Sequence, residues 1–194
     1  MNNYLIIYCH PWNGSFNHSV LQQIIANLKS HHQKFELIDL YKEHFDPAYD
    51  EEELRLFHEG KTHDPLVTKY LKMMQNADQV IFVTPIWWNG IPGMLKGFID
   101  KVMKEGEGLS HIVTKTGIKG ELTNIKKAYV FTSSTSPTLY YKYLAGNGIK
   151  KIFINQTLKQ IGVKKARWIN FGNMTHSKKE QREKYLNRIW KMNL

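Results

Sequence analysis

Five short apolar runs, most without a polar residue at every second position, constrain this chain more than any other feature. Tyr4 to Cys9, Phe35 to Leu40, Gln79 to Thr84, Ala128 to Thr132 and Ala166 to Phe171 are rich in β-branched and aromatic residues. A strand with one wet face shows strict alternation, whereas a strand covered on both faces has no need of it. Patterns of period three and four lie between the runs. Val20, Leu21, Ile24, Ile25 and Leu28 follow the first, with Asn17 as the expected N-cap. Asp50 to Phe57 reads as a short helix. Asp64 and Pro65 start another, whose apolar face is Leu66, Val67, Tyr70, Leu71 and Met74. After Pro92, the stripe Met94, Leu95, Phe98, Ile99 and Val102 marks a strongly amphipathic helix. Gly146 to Ile161 reads as helical with ragged spacing. Ser177 and Glu180 form an expected capping box for a last helix that buries Tyr185, Leu186, Ile189 and Trp190.

Strand and helix alternating five times predict one α/β domain over residues 1–194, with a parallel sheet covered on both faces. Five strands favour the doubly wound order 2-1-3-4-5. In that arrangement a ligand sits beyond the carboxyl ends of the strands, on the loops after strands one, three and four.

The remaining features narrow the function classes. The chain has 194 residues, 42% of them hydrophobic, which suits a single sizeable core. Its net charge of +10 raises the question of nucleic acid. The basic residues are scattered, however, and the densest stretch, Lys178 to Lys184, also holds Glu180 and Glu183, as a solvated helix face does. No nucleic-acid partner is expected. The lone cysteine, Cys9, reads as a buried core residue and fits a reducing, cytoplasmic setting. No run approaches the roughly 18 apolar residues of a membrane span, and Met1 to Cys9 reads as a strand rather than a signal peptide. No His, Cys or carboxylate spacing calls for a metal.

The first loop, His10 to Asn17, leads into a helix N-terminus, where backbone N–H groups and the helix dipole favour an anion such as a phosphate. Gly14 allows close approach, and Ser15 and Asn17 either add donors or cap the helix. The loop lacks the Walker lysine pattern, and no strand is followed by G-x-G-x-x-G. The third loop holds two adjacent tryptophans, Trp87 and Trp88, between Pro85 and Pro92. Both cannot point into one core, so one is expected to form an exposed apolar wall for a flat ligand, or to cover a helix end.

The stretch Thr84-Pro-Ile-Trp-Trp-Asn-Gly-Ile-Pro-Gly-Met-Leu-Lys-Gly-Phe-Ile-Asp-Lys-Val102 resembles the signature of the NAD(P)H:quinone oxidoreductase family of flavodoxin-like fold. His10 with Ser15-Phe16-Asn17 resembles its phosphate-binding loop, and Asp39-Leu40-Tyr41 its second strand end. With Arg182 in the last helix, the likeness spans nearly the whole chain. It implies a flavin, FMN or alternatively FAD, reduced by NADH or NADPH and reoxidised by a quinone in a ping-pong cycle. By matching positions, His10, Ser15, Phe16 and Asn17 would hold the phosphate end. Pro85, Ile86, Trp87, Trp88 and Asn89 would line the isoalloxazine, with the N–H groups of Trp88 and Asn89 near its heteroatoms. Thr132, Ser133, Ser134 and Thr135 would contact its other edge, and Tyr140 would be the active-site tyrosine. A homodimer is implied as well. Arg182 resembles an arginine that helps hold the adenosine half in FAD-binding relatives. Azo or nitro reduction, or a regulatory role beside a potassium-efflux transporter, are the alternatives the same likeness admits.

The chain departs from that pattern in two places. Ser134 and Thr135 stand where well-studied members carry two glycines, and Gly146 stands where a histidine is expected six residues after Tyr140. Tyr140 or Tyr141 remains as a hydrogen-bond donor, and helix packing is the other reading of Tyr140. His111 is a loosely aligned candidate for a substrate-side donor.

Overall fold

The computed structural model describes residues 2–194. Five parallel strands lie in the order β2-β1-β3-β6-β7, with β1 over Asn3–Tyr8, β2 over Lys34–Asp39, β3 over Gln79–Pro85, β6 over Lys127–Ser133 and β7 over Ala166–Phe171. Counted along the sheet, this is the expected 2-1-3-4-5 order. Strand limits differ from the sequence reading by one residue at most. Ile6 stands beside Leu37 on one side and Ile81 on the other, and Ile81 stands beside Tyr129. All seven residues of β3 are buried, as befits the central strand, whereas in β2 at one edge Lys34 to Leu37 alternate between exposed and half-buried positions and only Ile38 is buried.

Each strand sends alternate side chains to two separate cores. Leu5, Ile7, Val80, Phe82 and Val130 pack beneath α3 (Pro65–Asn76), α4 (Gly93–Val102) and the helix at Ile149–Leu158. Tyr4, Ile6, Tyr8, Ile81 and Phe131 pack beneath α1 (Phe16–Ser30) and α6 (Lys179–Trp190). Gly97 lets α4 lie against the chain at Pro47, because a Cβ there would fall 2.3 Å from the Pro47 carbonyl oxygen. Cys9 is buried, and burial pushes its thiol up to about 12.

The segment at 149–158 is a ten-residue π-helix, and its geometry accounts for the ragged spacing. Its buried residues are Ile149, Phe153, Ile154 and Leu158. In an α-helix nine residues span about two and a half turns, so Ile149 and Leu158 would face opposite ways. An i→i+5 ladder with about 4.4 residues per turn returns all four to one face.

The structure corrects two local expectations and adds an element the sequence reading did not name. Ser15, not Asn17, caps α1, its Oγ accepting from the His18 N–H at 3.1 Å. The last helix starts at Lys178, whose N–H donates to Gln181 Oε1 at 2.8 Å. A lysine side chain has no oxygen to return that bond, so this is half of a capping box, while Ser177 Oγ turns back to the Met174 carbonyl. A two-stranded hairpin, β4 (His111–Thr114) with β5 (Gly117–Gly120), stands apart from the main sheet.

Two charged side chains are fully buried. Lys104 Nζ lies 2.5 Å from Glu53 Oε1, where α2 (Glu51–Phe57) meets the end of α4. Burial pushes the Glu53 carboxyl up, but the donors Lys104 and Thr62 outweigh it and hold the group below its usual range. Among the described residues, no helix is long and apolar enough to cross a membrane.

Candidate functional site

The carboxyl ends of β1, β3 and β6 meet at one edge of the sheet, and hydrogen bonds lock their loops together. Buried Asn17 donates from its amide to Ser133 Oγ at 2.9 Å, joining the first loop to the last. The Ile86 N–H donates to the Ser133 carbonyl at 2.8 Å, joining the second to the last. The His10 and Trp87 rings lie 6.2 Å apart, closing the triangle. His10, Ser15, Phe16, Asn17, Pro85, Ile86, Trp87, Thr132, Ser133 and Ser134 are therefore brought to one place.

The first loop is arranged to meet an anion. The first turn of a helix leaves its leading N–H groups without intrahelical partners, so those of Phe16 and Asn17 point outward. Trp12 donates its N–H to His10 Nδ1 at 3.1 Å, which leaves Nε2 to carry the ring proton, and burial holds the imidazole below its usual pKa. His10 thus offers a neutral N–H donor. Tyr8 Oη and His18 Nδ1 are buried with no hydrogen-bond partner beside this turn. Buried polar atoms are nearly always paired, so these two mark a place suited to a polar guest.

The second loop is a tight reversal. Trp87 and Gly90 exchange N–H to carbonyl bonds of 3.0 Å in both directions, with Trp88 and Asn89 between them at φ 48° and 62°. This two-residue geometry favours Asn and Gly, and a tryptophan in it is strained. Trp88 is fully exposed and Trp87 is 43% exposed. The turn therefore holds out a bare indole, and its geometry turns the N–H groups of both central residues away from the exchanged pair. On its far side the Asn89 carbonyl lies 3.2 Å from where a Cβ of Gly148 would be, so the turn abuts the start of the π-helix.

The third loop is built differently from expectation. Thr132 Oγ1 donates to Asn170 Oδ1 at 2.7 Å and accepts from Trp168 Nε1 at 2.8 Å. Asn170 donates in turn to Ser134 Oγ and Thr138 Oγ1, both at 2.9 Å. Thr132 therefore spends its hydroxyl on β7, Ser134 accepts from Asn170 and donates to the Ser136 carbonyl at 2.9 Å, and Thr135 is exposed beyond them. The sequence reading missed Asn170 and Trp168. The available signal was an asparagine near the carboxyl end of a strand whose neighbouring residues, Trp168, Ile169 and Phe171, are apolar.

Tyr140 lies on α5 (Thr138–Tyr143), 41% exposed, with its ring edge-on to buried Tyr141. No hydrogen bond joins its side chain to the three loops among the described residues. Arg182 donates from Nη1 to the Ser177 carbonyl at 2.9 Å, serving the start of its own helix.

Known proteins share this architecture. The family model described as flavodoxin-like fold matches residues 2–192. An uncharacterized NAD(P)H oxidoreductase of Haemophilus influenzae is 26% identical over 174 residues, covering 89% of this chain and 84% of that protein. The ribosyldihydronicotinamide dehydrogenase [quinone] of Pongo abelii is 30% identical over a stretch covering 53% of this chain, and the match spans only about half, 51%, of that protein. The NAD(P)H:quinone oxidoreductase of Methanothermobacter marburgensis superposes with a TM-score of 0.81 at 25% identity, covering 97% of this chain and 94% of that one. With the sheet order, the loop triangle and a model match over nearly its full length, the chain belongs to the family of flavodoxin-like fold.

Proposed function

We propose that this protein is a flavin-dependent NAD(P)H oxidoreductase acting on quinone-type acceptors, with FMN as its flavin. The observation that carries the reading is the Trp88–Asn89 turn, which pairs an exposed flat wall with two backbone donors at the edge where the first loop offers an anion site. The chemistry a bound flavin supplies is reversible hydride storage, so coenzyme and acceptor would use one face in turn, a ping-pong cycle. The chain's own residues would bind and orient. Phe16 and Asn17 N–H groups with His10 Nε2–H would hold the phosphate, and Ser15 would keep that turn in shape. Trp88 would cover the ring, and the Trp88 and Asn89 N–H groups would meet its polar edge. Thr132 and Ser134 would act by fixing the loop through Asn170. Arg182 is engaged at its own helix start, which favours FMN over FAD. Leu139, Tyr143 and Leu144 form an exposed apolar patch around α5, close to Tyr140, and we assign it to a homodimer contact.

The test is an absorbance spectrum of the purified protein, followed by anaerobic addition of NADH or NADPH. Flavin bands that bleach, with FMN recovered on acid extraction, are expected. Protein that stays colourless after reconstitution with FMN and with FAD overturns the assignment. Replacing Trp88 by alanine is expected to weaken flavin binding about five- to tenfold, the contribution of one aromatic contact of about 1–1.5 kcal/mol. Unchanged affinity would mean the ring lies elsewhere.

A further inference from the structure

The net charge of +10 has one source. The 58 residues from Leu122 to Lys179 hold ten lysines and one arginine, and no Asp or Glu at all. The rest of the chain, with 16 basic and 17 acidic residues, is close to neutral. Basic residues are scattered along the whole sequence; it is the acids that are missing from this stretch.

The fold gathers the acid-free stretch on one flank, as β6, α5, the π-helix and the edge strand β7. Ala128 stands beside Ala166, which sets Lys126 and Lys127 alongside Lys164 and Lys165 at the amino ends of the two strands. The Gly162 N–H donates to the Lys159 carbonyl at 3.0 Å, so the end of the π-helix joins this group. Beyond it, Lys142 from α5, Lys150 from the π-helix and Arg167 from β7 line a hollow of about 270 Å³ against Trp168. The π-helix ties the two groups together. At about 4.4 residues per turn, Lys150 and Lys159 lie two turns apart on one face, where an α-helix would turn them opposite ways.

Little offsets this charge. Among the described residues of the stretch, only Lys126, 3.3 Å from Asp78, and Lys179, 3.8 Å from Glu183, meet a carboxylate. All eleven side chains are exposed except that of half-buried Lys127. Like charges gathered in this way repel one another and oppose the compact state, and an anionic partner relieves the repulsion.

The residue types indicate which anion. Lysine is a flexible point charge without the planar fork that suits arginine to phosphates and base edges of nucleic acid. The ring in the hollow, Trp168, is half-buried and tied through Nε1 to Thr132 Oγ1, which makes it a poor platform for stacking a base. A fluid layer of anionic headgroups needs neither fork nor platform. Its mobile lipids gather under a field of lysines, at about fivefold in partitioning for each lysine that reaches the surface.

We propose that this flank is a docking face for an anionic lipid surface, on which the protein adsorbs without inserting. One end of the flank adjoins the aromatic turn, because Ile149 and Ile152 of the π-helix line a hollow with Trp88. Adsorption therefore holds that turn near the lipid. That turnover draws on this proximity rests on the function proposed above; the adsorption does not.

The test is co-sedimentation of the purified protein, its flavin content recorded, with vesicles of phosphatidylcholine alone or mixed with phosphatidylglycerol. Binding is expected only to the mixed vesicles, with release at high salt. The triple variant Lys150→Gln, Lys159→Gln, Lys164→Gln is expected to lose about a hundredfold in partitioning. The same three positions changed to arginine should keep it. A control of equal net charge, Lys29→Gln, Lys34→Gln, Lys72→Gln, alters exposed lysines on α1, β2 and α3. It should stay within about twofold, because charges farther than a Debye length from the lipid are screened. No preference for phosphatidylglycerol, or equal losses in the two glutamine triples, would overturn the proposal. Tighter binding of a mixed-sequence DNA duplex than of the mixed vesicles at the same salt would overturn it too, and give the flank to nucleic acid. Colourless protein that still prefers the mixed vesicles would remove the flavin reading and leave the docking face standing; a bleaching flavoprotein without the preference would do the reverse.

Discussion

The loop after β1 and the turn after β3 stand side by side on one sheet edge and are built in opposite ways. In the first, Ser15 and Asn17 are buried and their polar atoms are spent inward, on the helix cap and on Ser133. In the second, Trp87, Trp88 and Asn89 are exposed, and one reciprocal pair of backbone bonds holds two residues at positive φ. The relaxed loop offers a ligand its backbone and one histidine N–H. The strained turn offers a side chain, and strain of this kind persists where surrounding structure over-determines it, commonly at ligand sites. Stability and function should therefore separate between the two.

The largest expected effect is at the first loop. Asn17→Ala removes the buried bond to Ser133 and is expected to cost about 1–3 kcal/mol in urea denaturation, with flavin binding weakened alongside. A neutral result would mean that the two loops are held apart from each other. The turn should respond with the opposite sign: Trp88→Gly relieves the positive φ and is expected to gain up to about 1 kcal/mol while flavin binding falls. A loss of stability there would show that the indole supports the fold and would break the contrast. The smallest effect is a pH dependence. His10 has a folded pKa below its ordinary value of about 6.5, so the unfolded chain takes up more protons as pH falls. Its contribution is complete above about pH 6.5 and declines below it, and His10→Gln is expected to flatten that shallow slope.

The sheet was legible because its runs are apolar on both faces, and the helix at Asp64–Pro65 because capping residue and proline coincide; Asp64 indeed accepts from the Leu66 N–H at 2.8 Å. The π-helix was blurred because Ile149, Phe153, Ile154 and Leu158 fit no period of 3.6. The hairpin was invisible because each strand has four residues and none of them is buried. Of the site, the tryptophan pair announced itself through composition. The Thr132–Asn170–Ser134 chain did not, since nothing local says that residues 38 and 36 apart share hydrogen bonds. Capping was misread where neighbouring residues compete: Ser15 and Asn17 both favour the role, and only backbone geometry decides between them.

The buried pair Glu53–Lys104 bears on how the molecule opens. Lifting α2 away from α4 would strand one charge in an apolar interior, so the two must reach water together or not at all. The stretch from Asp50 to Asp64, with the residues around Lys104, should then lose its amide protection in hydrogen exchange as one cooperative block rather than fraying residue by residue. A short helix that would be marginal alone thereby takes on the lifetime of the sheet's own cover.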